Sequence, residues 1–107
     1  MALTREFQNT VVDRVRRDPA FARTLLDEAA TLFLNGERDA ARLVLRDLVN
    51  ATIGFAALAT KTGRPPKSLQ RMLSKSGNPS MDNLAAIIGA LRMSLGVDLM
   101  ARAVRAA

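Results

Sequence analysis

The stretch from Gly54 to Leu84, GFAALATKTGRPPKSLQRMLSKSGNPSMDNL, constrains this chain most. Two short runs with helical apolar spacing are pinched together at Gly63, and Gly-Asn-Pro-Ser then leads into a third. Phe55, Leu58, Ala59 and Thr62 share one face of the first run. Ala59 is small enough for another helix to approach closely. Gly63 sits where a tight turn needs positive φ, which glycine adopts without a Cβ clash. Pro65 and Pro66 follow, and since proline restricts the residue before it, the next helix is expected to start at Pro66.

That helix, expected over residues 66–74, separates two faces. Leu69, Met72 and Leu73 point inward. Lys67, Gln70, Arg71 and Ser74, at i, i+3, i+4 and i+7, point outward together. Such a face suits the DNA major groove: Arg and Lys donate to guanine, Gln pairs with adenine, and Ser reaches phosphate or base. The helix N-terminus also favours phosphate. Residues 74–78 read as a short polar loop suited to a phosphate backbone. Ser80 reads as the N-cap of a helix whose apolar stripe is Met81, Leu84, Ile87, Ile88 and Leu91. Gly89 within it suggests close helix packing.

Charge reinforces the pattern. The chain has 107 residues and a net charge of +6. Arginines balance carboxylates up to residue 53, so the excess lies in the second half, where Asp82 and Asp98 are the only acids. Lys61, Arg64, Lys67, Arg71 and Lys75 follow one another with no anion between them. A concentrated cationic patch steers polyanions toward itself.

Upstream, three amphipathic helices are expected. The first, from Thr4 to about Arg17, carries Phe7, Val11, Val12 and Val15 on one face. Asp18-Pro19 starts the second, with Phe21, Leu25, Leu26, Ala29, Leu32 and Phe33 inward, and Asn35-Gly36 ends it. The third runs from Glu37 to about Ala51. It is expected to bury Ala40, Leu43, Val44, Leu48 and Val49, leaving Arg38, Arg42 and Arg46 exposed and mildly repelling one another. Residues 93–99 alternate like a strand, whereas Val97, Met100, Ala101 and Val104 fit a last helix after a break at Gly96; the Ala and Arg content favours the helix.

The residues Leu58, Ala59, Thr62, Gly63, Ser68, Leu69, Leu73, Ser74, Gly77, Asn78 and Pro79 form a pattern that resembles a known family. Residues 40–105 resemble the lambda-repressor/Cro-like helix-turn-helix domain, and more narrowly the addiction-module antidotes and phage-type regulators. The resemblance implies an all-α fold: a five-helix DNA-binding domain over 40–107, preceded by about two further helices in an extension over 1–39 that packs on it. It implies that Pro66, Lys67, Gln70 and Arg71 meet base edges, and that Ser74, Lys75 and Asn78 meet phosphate. Arg64 replaces the family's usual apolar turn residue, so either the turn is more exposed or Arg64 itself contacts DNA. Ala56 and Ala57 stand where a polar phosphate contact is common; that contact is lost or moved to Thr52 or Lys61.

The expected function is therefore a sequence-specific transcriptional regulator of double-stranded DNA, acting as a homodimer, in the first place a repressor. The alternatives are an antitoxin that also neutralises a small toxin, and a helical interaction module without DNA binding. Enzymatic activity is not expected: His, Cys and Tyr are absent, which removes the commonest acid–base groups and soft metal ligands. No cofactor or metal is expected. No apolar run approaches the roughly 20 residues that span a bilayer. The lack of cysteine fits a cytoplasmic setting.

Overall fold

Six helices appear in the computed structural model, which describes residues 5–107, with side chains from Thr10 onward. They are α1 (Arg5–Arg17), α2 (Pro19–Leu34), α3 (Arg38–Ala51), α4 (Gly54–Thr62), α5 (Pro66–Met72) and α6 (Met81–Leu95). The fold is all-α over the described residues. The expected start at Thr4 and the side chain of Phe7 lie outside them.

Local chemistry sets most of the boundaries. The Asp18 carboxylate accepts from the Ala20 N–H at 3.1 Å, with Pro19 in the first turn of α2. Arg14 reaches over this corner, its guanidinium 4.8 Å from the centre of the Phe21 ring. The Ser80 hydroxyl accepts from the Asn83 N–H at 3.1 Å and caps α6. Gly63 and Gly96 end α4 and α6 at φ 69° and 66°, in the left-handed region as helix-ending glycines do.

One hydrophobic core runs through the fold. Leu26 of α2, Leu45, Leu48 and Val49 of α3, Leu58 of α4, Leu69 and Leu73 at α5, and Ile87 and Leu91 of α6 are fully buried. The N-terminal helices share this core: α1 and α2 pack on α3, and α2 also meets α6. The chain bends by 103° between α3 and α4. No single helix among the described residues is long and apolar enough to cross a membrane.

Three expectations are corrected. In α3 the buried residues are Ala41, Arg42, Leu45, Leu48, Val49 and Ala51; Ala40 is exposed and Leu43 is 42% exposed. The inner stripe is thus shifted by one residue toward Arg42, which is buried because it has partners inside the protein (below). In α6, Met81 is exposed, and a Cβ at Gly89 would meet nothing within 4 Å, so Gly89 makes no close helix contact.

The third correction concerns the C-terminus, where residues 97–107 form neither helix nor strand. The N–H groups of Gly96 and Val97 donate to the carbonyls of Met93 and Arg92 and close α6. Val97 and Leu99 then pack against the core in alternation, while Met100 and Val104 stay exposed. A helix as short as residues 97–104 is marginal in water without a surface to bury its apolar face. Residues 40–107 consequently hold four helices, and the fifth expected there does not form.

Candidate nucleic-acid interface

The geometry around α5 starts from the turn that precedes it. The Ala59 carbonyl accepts from both Gly63 N–H, at 2.9 Å, and Arg64 N–H, at 3.3 Å, which closes α4 and reverses the chain. Pro65 is extended, with φ −63° and ψ 142°, and α5 begins at Pro66 as expected. On its inner side Leu69 and Leu73 are fully buried and Met72 packs against the core. Burial of a leucine of this kind contributes about 1.5–3 kcal/mol, so these side chains hold the seven-residue helix in place.

The opposite side of α5 presents Lys67, Gln70 and Arg71, all exposed. Arg71 leans back toward Ser68, with Nη2 at 3.5 Å from its hydroxyl oxygen. Pro66, Lys75 and Asn78 are exposed as well, and Lys61 is exposed on the last turn of α4, a separate element. The ion pairs among the described residues join Arg14 to Asp18, Arg42 to Asp39 and Arg92 to Asp98. Lys61, Lys67, Arg71 and Lys75 have no carboxylate partner among those residues, so this surface keeps its positive charge available to an external anion.

Two residues of the expected site are engaged within the protein. Arg64 is half-buried: its Nε donates to the Asn83 side-chain oxygen and its Nη1 to the Thr62 carbonyl at 2.7 Å. It thereby ties the α4–α5 turn to the first turn of α6. Ser74 was expected at an outward position of the helix. The helix ends at Met72, however, and the half-buried Ser74 hydroxyl folds back to donate to the Arg71 carbonyl at 2.7 Å.

Two further residues shape the loop after α5. Arg42 is 6% exposed. Its Nε donates to the Ser74 carbonyl at 3.2 Å, and its Nη2 donates to the Lys75 carbonyl at 3.1 Å and to the Asp39 carboxylate at 2.5 Å. Gly77 lies against the end of α5, where a Cβ would fall 2.2 Å from the Met72 carbonyl oxygen. Arg42 is thus not the exposed charge its spacing suggests, and Gly77, expected in a polar loop, is pressed against backbone. The available signal for Gly77 was the glycine two residues before a proline at a helix–loop junction; for Arg42 the signal was a cation falling inside a well-phased apolar stripe.

The described surface also has an apolar groove of about 720 Å³ between α2, α6 and the C-terminal segment, lined in part by Phe33, Leu34, Leu84, Ile88 and Leu99. Comparison with protein-family models, with curated proteins and with solved structures gave no match to this chain.

Proposed function

We propose that this chain is a sequence-specific DNA-binding regulator that docks α5 in the major groove. The observation that carries the reading is the exposed Lys67-Gln70-Arg71 face on a helix whose other side is locked into the core. These side chains match the donors and acceptors of base edges, and they stand at i, i+3 and i+4 on one helix. Lys75 and Asn78, in the loop that follows, are suited to phosphate. In this reading α4 and α5 are the two helices of a lambda-repressor-like motif, with α3 and α6 as its supporting helices.

Seven residues of helix read only a few base pairs, so specificity calls for two copies on a two-fold site. The molecule measures 38 × 32 × 30 Å. Two copies side by side therefore match half-sites about 34–36 Å apart, one turn of B-DNA. The lack of Tyr and Trp removes the usual stacking platforms for single strands and favours the duplex.

Selection of bound duplexes from a random pool, followed by gel retardation, tests the proposal. A selected two-fold sequence bound about 10³-fold or more tighter than a scrambled duplex supports it. Equal retardation of all duplexes, or none, refutes it.

A further inference from the structure

We infer that Arg42 is a positioning residue for DNA contact, placing Lys75 and the 74–78 loop from within the protein body. The inference rests on the DNA-binding reading above. Arg42 is too buried to touch DNA itself, yet both its guanidinium bonds to the loop go to main-chain carbonyls, those of Ser74 and Lys75. The Ser74 carbonyl also accepts the Gly77 N–H at 3.0 Å. The first residues past α5 are thus held from two sides. Both carbonyls lie past the end of α5, outside its own hydrogen bonding, and the fork of one buried guanidinium donates to the two together. The charge is balanced by Asp39, whose own side chain is 83% exposed.

The consequence is mechanical. Arg42 sits on α3, and α3 packs against α1 and α2. The loop that carries Lys75 is therefore registered against the helical body and not only against its own helix. A cation meets a phosphate only if its main chain is held at the right distance, and Arg42 supplies that hold for Lys75. A planar fork is required, because lysine offers a point charge and does not bridge two carbonyls in the same geometry.

Arg42→Lys keeps the net charge and removes the fork. Its affinity for the selected duplex is measured across a salt series, at a temperature where circular dichroism shows the variant folded. The slope of log affinity against log salt is expected to become shallower by about 0.9, the value of one lost phosphate contact. Lys75→Ala is expected to lower the slope by the same amount, and the double variant to be no shallower than either single one. The Gly77 amide, which donates to Ser74, is expected to lose hydrogen-exchange protection in Arg42→Lys. Asp39→Asn, which frees the guanidinium while leaving the helical body whole, is the second variant for that exchange measurement. Wild-type binding with an unchanged slope in Arg42→Lys, or unchanged Gly77 protection in both variants, overturns the positioning role alone. A wild-type protein that binds no duplex selectively overturns the DNA reading itself, whatever the exchange data show.

Discussion

Replacing Gly77 with alanine sets a methyl carbon 2.2 Å from the Met72 carbonyl oxygen, 2.5 Å from that of Arg71 and 2.6 Å from the Met72 carbonyl carbon. All three are backbone atoms, so no side chain can rotate away. Relief of the shortest contact from 2.2 to 3.0 Å, below which real Cβ atoms essentially never come, requires the loop or the end of α5 to move by about 0.8 Å. Overpacking of this kind costs about 1–3 kcal/mol, and the rigid neighbours place Gly77→Ala in the upper half of that range. For a domain of this size about 2 kcal/mol lowers the melting temperature by roughly 10 °C. The sign is informative, because Gly77 does not have positive φ. With the contact ignored, alanine there would stabilise by about 0.4–1 kcal/mol through the unfolded chain. Gly89→Ala is the matched control: it lies inside α6 with open space at its Cβ, and it is expected to stabilise by about 0.5–1 kcal/mol. Thermal melts of both variants by circular dichroism give the comparison. A Gly77→Ala variant melting at or above the wild type would refute the close approach.

Other substitutions probe the α6 cap, the α4–α5 turn and a half-buried carboxyl. Ser80→Ala removes the cap on α6 and is expected to cost about 1 kcal/mol in urea unfolding. Gly63→Ala forces a side chain to φ 69° and is expected to cost about 1–2 kcal/mol, with weaker DNA binding as α5 loses its register. Burial raises the Asp47 carboxyl pKa above its ordinary value, against a smaller opposing pull from Arg46. The native state therefore holds this proton more readily than the unfolded chain, and the group's contribution to stability falls as pH rises from the ordinary carboxylate value through the raised one. Asp47→Asn is accordingly expected to be more stable than wild type at neutral pH, with the gain fading in acid; a gain that grows as pH falls would reverse the assignment.

Much of the fold was legible because its signals are local. Asp18-Pro19, Gly63, Pro66 and Ser80 act within a turn or two of themselves, and each marks the boundary that its chemistry predicts. The inward set Leu58, Leu69, Leu73, Ile87 and Leu91 follows from helical periodicity alone. What the sequence hid depends on distant partners. Arg42 resembles any surface arginine until carbonyls 32 and 33 residues away close on it. Once it is assigned to solvent, the α3 stripe is read one residue out of phase, and Leu43 replaces Leu45 in the core. The C-terminal segment misled for a related reason: its Ala and Arg favour a helix, but Val97 and Leu99 pack on the core and leave Met100 and Val104 exposed. In the candidate interface, Lys67, Gln70 and Arg71 stand exposed on one short helix, as their spacing predicts. Arg64 is instead drawn to Asn83, a partner 19 residues on that no local pattern announces.

Base reading by the outer face of α5 is the function proposed for this chain. It is tested most directly by the affinity of Arg71→Ala for a selected duplex and for a scrambled one at the same salt. The specific complex is expected to lose about 1–3 kcal/mol while the non-specific complex loses much less, so the specificity ratio falls. Equal losses on both duplexes would make Arg71 a backbone contact, and no loss on either would remove α5 from the interface.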